Sequence, residues 1–174
     1  MAPEVRRRAK GNRSIAAAVL LALLAFPHVL PAQVRLSLGA GAGVAGSTES
    51  SLSEGRGGAM FTGQLVHGIV PFVGLGAEVN HWAGSGLTAT FATAIVQIHV
   101  PLTGLLLKGG AGYGGGDPDG LGHIGGVAGQ LGLAYDLTLP GAPIAITLFG
   151  NGLFAHASSR SMQLVGGGLA LTFR

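Results

Sequence analysis

No cysteine occurs in this 174-residue sequence. That excludes a disulfide scaffold, a thiolate metal site and a lipid anchor on an N-terminal cysteine. Charge is scarce as well, with Asp, Glu, Lys and Arg making up 10% of residues. A chain this poor in charge and this rich in Leu, Val, Ile and Ala is the compositional reverse of a disordered one. Aromatic residues are few, at 6%, and only one of them is tryptophan. Beyond the first 32 residues no stretch reaches 18 consecutive apolar positions, so no second helical membrane span is expected.

The first 32 residues have the layout of an export signal. Arg6, Arg7, Arg8, Lys10 and Arg13 precede a 12-residue apolar run, Ile15 to Phe26, which Pro27 ends. A spanning helix needs about 20 apolar residues, and "LPA" ending at Ala32 offers a cleavage point before Gln33. The expected organisation is a cleaved signal peptide over 1–32 and one domain over 33–174. Five of the ten basic residues lie in the signal, leaving five against six acidic ones in the domain. The formal net charge of +3 therefore belongs to the export segment, and no nucleic-acid partner is expected.

What the domain has in abundance is glycine, of which the chain holds 33. These keep no three-residue period, which excludes a collagen-like helix. They fall instead within segments that alternate with period 2, the mark of strands whose two faces meet different surroundings. Over 34–44, Val34, Leu36, Leu38, Ala40, Ala42 and Val44 oppose Arg35, Ser37, Gly39, Gly41 and Gly43. Over 72–82, Val73, Leu75, Ala77 and Val79 oppose Gly74, Gly76, Glu78 and Asn80. Over 105–113, Leu105, Leu107 and Ala111 oppose Lys108, Gly110 and Gly112. Over 125–137, Val127, Leu131, Leu133, Tyr135 and Leu137 oppose Ala128, Gln130, Gly132, Ala134 and Asp136. Segments 59–68, 87–99, 144–154 and 162–173 alternate more weakly, and in 87–99 the two faces cannot be told apart by composition.

Every second connection is a tight turn containing proline, at Pro71, Pro101 and Pro140 to Pro143. The others are polar: "AGSTESSLSEGRG", "AGSG", "GGGDPDGLG" and "AHASSRS". A barrel whose ends face different compartments produces this alternation, with short turns on the periplasmic side. Phe72, Tyr135 and Phe173 fall at the proline-turn ends of their strands, and Phe61, Trp82, Tyr113 and Phe154 at the polar-loop ends. Two such rows are expected at the membrane–water interfaces, with Phe91 and Phe149 further inside. In lipid an open sheet edge leaves a row of unpaired backbone groups, so the sheet must close. The expected fold is all-β: an eight-stranded antiparallel up-and-down transmembrane β-barrel, preceded by the cleaved signal peptide.

On these features residues 33–174 resemble the small outer-membrane β-barrels of Gram-negative bacteria, built like the transmembrane domain of outer membrane protein A. The resemblance implies a chain in the cell outer membrane, delivered by the barrel-assembly machinery. It implies that Phe173, with Leu171 and Leu169 at alternate positions before it, is the assembly signal; here Arg174 follows the Phe, shifting the motif by one. The partners expected are outer-membrane lipid and that machinery, and the barrel is expected to be monomeric.

Arg35, Glu78, Lys108 and Asp136 all fall on the inward face. An unpaired buried charge is costly, so they are expected to pair within the lumen, Glu78 with Lys108 and Arg35 with Asp136 nearer the periplasmic mouth. Such pairs fix a barrel interior, and they are also what a gate or proton path would use. His156 and Ser158 raise a hydrolase alternative, since some outer-membrane lipid A deacylases carry a His-x-Ser arrangement near the last strands. Ser159 stands where that family has Asn, and no acid follows to orient the histidine. His81, His123 and His156 carry no metal-ligand spacing, and "DPDG" at Asp117 to Gly120 lacks the remaining positions of a calcium loop. The glycines at 39, 41 and 43 lie within a strand with no helix after it, so they do not form a nucleotide loop. No metal or cofactor is expected. The expected role is structural, adhesive or envelope maintenance without a wide pore. A narrow pore, the hydrolase and a soluble lipocalin-like periplasmic barrel are the alternatives.

Overall fold

In the computed structural model, residues 34–47, 55–84, 86–118, 124–138, 141–157 and 160–174 are described. The expected signal peptide lies outside them. The strands are β1 (Val34–Ser47), β2 (Arg56–Val70), β3 (Val73–Gly84), β4 (Leu87–His99), β5 (Leu105–Pro118), β6 (Ile124–Thr138), β7 (Ile144–Ala157) and β8 (Arg160–Phe173). Each pairs antiparallel with its neighbours in sequence, and β1 pairs with β8 to close the barrel. A tilted strand crosses the hydrocarbon core in about 9–11 residues, so these strands run past it. "GGGDP" at 114–118, expected in a loop, is instead strand, with Gly114, Gly115 and Gly116 paired to Phe91, Thr90 and Ala89.

The alternation sets the faces. Val79, Leu75, Val96, Leu131, Leu133, Leu148, Leu169 and Leu171 point outward and are exposed. A continuous apolar belt of this size does not persist in water, so the exterior is a lipid-facing surface. This overturns the lipocalin-like alternative, which needs the apolar face inward. In β4 the inward residues are Ala89, Phe91, Thr93, Ile95 and Gln97, which resolves the face left open over 87–99.

Two aromatic residues depart from the expected interfacial rows. Trp82 is 1% exposed and lies inside the barrel, where its Nε1–H donates to the Gly43 carbonyl at 3.2 Å. It packs with Met60, Phe91, Leu153, Met162 and Leu164 into a core that fills the loop end of the lumen. Phe173 follows the outward alternation of β8 but is only 6% exposed. Phe61, Tyr113 and Phe154 at the loop ends and Phe72 and Tyr135 at the turn ends are exposed as expected.

A barrel of eight strands curves sharply and crowds its inward positions. At the β1–β8 seam Gly41 faces Gly168, and a Cβ on Gly168 would strike the Ala40 carbonyl oxygen. At Gly150, by contrast, a Cβ would meet only the Gly166 carbonyl oxygen, at 4.0 Å. Gly168→Ala is therefore expected to lower stability by about 2 kcal/mol. Gly150→Ala should leave the urea midpoint of the refolded barrel unchanged. Equal midpoints for the two variants would refute the seam argument.

Candidate functional site

The half of the lumen nearer the tight turns is polar and is built in two layers. Strand alternation in β3 turns Glu78 and Asn80 inward two residues apart, and β5 and β7 bring Lys108 and Asn151 to meet them. Lys108 Nζ donates to Glu78 Oε2 at 2.6 Å. Glu78 Oε1 accepts from Asn151 Nδ2 at 2.8 Å, Asn80 Nδ2 at 2.9 Å and Thr62 Oγ1 at 3.4 Å. Thr93 Oγ1 donates to Gln130 Oε1 at 2.7 Å and extends the layer. The Glu78 side chain is 0% exposed and that of Lys108 4%, so each charge depends on the other and on the amide donors. Gly132 makes the arrangement fit: a Cβ there would lie 2.6 Å from Lys108 Cε and 2.5 Å from Asn151 Oδ1.

The second layer lies nearer the turns. Arg35 Nη2 donates to Asp136 Oδ2 at 2.7 Å, and Arg174 Nη2 donates to the same oxygen. Thr147 Oγ1 donates to Asp136 Oδ1 at 2.6 Å. From Thr147 a run of hydroxyls continues through Thr172 at 2.7 Å to Ser37 at 2.8 Å. Gln64 Nε2 donates to Gln97 Oε1 at 2.8 Å across the same level. His99 lies 3.4 Å from Arg35 Nη1.

Between the layers lies a small void of about 10 Å³, lined by Ser37, Gln64, Lys108 and Thr147 among others. That holds one water at most. On the loop side Met60, Trp82, Phe91 and Leu164 are at most 1% exposed. The described residues thus enclose a filled lumen with no wide channel. At the turn end the barrel widens into two pockets of about 1060 Å³ and 450 Å³, both lined by Arg35 and His99.

The four inward charges chosen from sequence lie in these two layers. Arg174, set aside as a departure from the assembly motif, is a third member of the Asp136 cluster. Asn151, Thr147 and His99 were missed because 144–154 and 87–99 alternate weakly in composition, although Thr147 and Asn151 share one parity in β7. Leu169 and Leu171 are exposed on the outer face. His156 also points outward, and Ser158 lies outside the described residues, as does His123. His81 and His156 stand on β3 and β7, on opposite sides of the barrel. Among the described residues no group of three His, Asp or Glu side chains could hold a metal ion.

No protein-family model matches the sequence, and no curated protein matches it. Solved structures do. Ail, the attachment invasion locus protein of Yersinia pestis, aligns over 80% of this chain and 97% of its own at 12% identity, with a TM-score of 0.55. Ail in complex with the heparin analogue sucrose octasulfate aligns over the same shares, 80% and 97%, at 13% identity and a TM-score of 0.54. Neisserial surface protein A aligns over 82% of this chain and 97% of its own at 9% identity and a TM-score of 0.50. Identities this low speak to architecture. The chain has the fold of the small outer-membrane proteins, a closed eight-stranded antiparallel barrel with a lipid-facing exterior and a filled lumen.

Proposed function

We propose that this protein is an integral outer-membrane barrel with a structural, adhesive or envelope-maintenance role and no wide pore. One observation carries the reading: an apolar exterior closed around a lumen filled by side chains, among them the Lys108–Glu78 and Arg35–Asp136 pairs. A lumen of eight strands filled in this way leaves no wide aqueous path. Export by the 1–32 signal and assembly through Phe173, Leu171 and Leu169 complete the proposal, with the barrel acting as a monomer. The adhesive reading draws support from Ail, an attachment invasion locus protein of the same fold. The turn end then faces the periplasm and the polar connections face outward.

The test is electrophoretic. Unboiled and boiled membrane fractions, run side by side on a denaturing gel, should show a band that migrates differently before heating. That band should stay with the outer membrane after a salt wash. A single unshifted band in the soluble periplasmic fraction would refute the proposal.

A further inference from the structure

We propose that the turn end of the barrel binds the phosphodiester headgroup of an anionic phospholipid, with the acyl chain laid over the rim. The proposal rests on the reading above that this end faces the periplasm, and so the inner leaflet of the membrane.

The clustering of guanidinium groups at the mouth is the first reason. Two guanidinium groups, Arg35 and Arg174, converge on one carboxylate oxygen of Asp136. Arg35 Nε is buried without a partner among the described residues. Guanidinium donors in this state suit an oxyanion with several acceptor oxygens. His99, beside Arg35 and lining both pockets, adds a ring nitrogen to the same site.

The shape of the pocket is the second. Its 1060 Å³ far exceeds a free phosphate, and its lining runs from Arg35 and Arg174 in the lumen to Leu137, Ile146 and Leu171 on the outer face. A single occupant can touch the cations and the lipid-facing wall together only if it is an amphiphile.

The third reason is the rim. Phe72 and Leu102 follow prolines in their turns and hold φ of 74° and 62°. At the third turn the residue after proline is Gly141, at φ 76°. Glycine takes this conformation freely, and bulky side chains pay strain to do so. The strain places two apolar side chains on the rim, Phe72 at 55% and Leu102 at 107% exposure. Leu102 lines the larger pocket and Phe72 the smaller. The Phe72 carbonyl accepts from the His99 backbone N–H at 2.8 Å, which ties this strained turn to the cationic centre. A cationic floor with apolar tips around it matches a lipid headgroup entering from the membrane edge.

The experiment is native mass spectrometry of the folded barrel released from zwitterionic micelles. The probes are a phosphatidylglycerol and a phosphatidylcholine of equal chain length, with inorganic phosphate as competitor. Wild-type protein should retain the phosphatidylglycerol about fivefold better, the effect of about one arginine beside an anionic headgroup. Arg174→Gln, which keeps the Arg35–Asp136 pair, should abolish the preference and keep the heat-dependent gel shift. Leu102→Gly should reduce retention of both lipids. Equal retention of the two lipids by wild type, or an unchanged preference in Arg174→Gln, overturns the proposal. Displacement of the lipid by millimolar phosphate would make a free anion the ligand and overturn the lipid assignment. Absence of the gel shift in wild type would instead overturn the barrel reading beneath it.

Discussion

Glu78→Ala is expected to destabilise the folded barrel by about 4 kcal/mol, because it leaves the Lys108 ammonium buried without its counter-charge. The carboxylate is the hub of its layer, accepting from Lys108, Asn80, Asn151 and Thr62. Glu78→Gln keeps an acceptor for the two asparagines but still strands the lysine, so it should cost nearly as much. Glu78→Gln combined with Lys108→Met removes both charges, keeps the acceptor and approximates the lost volume. This double variant should recover most of the loss, since a buried ion pair replaced as a pair is often neutral. Urea midpoints of the refolded proteins in micelles measure all three. A Glu78→Ala midpoint within about 1 kcal/mol of wild type would show that the layer is hydrated and that the pair is not structural.

Trp82→Ala is the second large effect, also about 4 kcal/mol, from lost burial and the cavity left behind. The indole is enclosed by Met60, Phe91 and Leu164, and Gly58 and Gly84 leave room for its six-membered ring. A Cβ on either glycine would lie 2.6 Å from Trp82 Cζ2. A tryptophan at a membrane interface would be far cheaper to remove, because lipid and water close over the gap. The midpoint of Trp82→Ala therefore separates the two placements: a loss under about 1 kcal/mol would return the indole to the interface. Trp82→Phe, which keeps a ring in the site, should lose roughly half as much.

That residue also marks where the sequence could be read and where it could not. Alternation made the strand count and the lipid face legible, because apolar residues recur at alternate positions over 34–44, 72–82, 105–113 and 125–137. The same alternation put Arg35, Glu78, Lys108 and Asp136 on one side. Trp82 shares its parity with Gly74, Gly76, Glu78 and Asn80, so its inward direction was available in the pattern. Its position at a strand end argued for an interface, and that argument ignored parity. In β4 composition gave no help, because the loop end of the lumen is apolar and the outer rim is not. Phe91 and Ile95 point inward while Thr88 and Thr90 point outward. Arg174 was legible only as an irregularity after Phe173, since its partner Asp136 sits 38 residues earlier, two strands away on β6.

Closure itself has a kinetic side. Seven of the eight pairings join strands consecutive in the chain, and the eighth joins β1 to β8. Its Ser37–Thr172 hydrogen bond spans 135 residues. Local hairpins form early, and a contact at such separation forms late. At this seam Gly41 faces Gly168 and Gly43 faces Gly166, so few side chains need to interlock as the two strands meet. On the lumen side the hydrogen-bond ladder can close with no side chains in its way at these glycines, and the Ser37–Thr172 pair then latches it from within. The glycine stripe thus gives a late, long-range closure a path clear of lumen side chains.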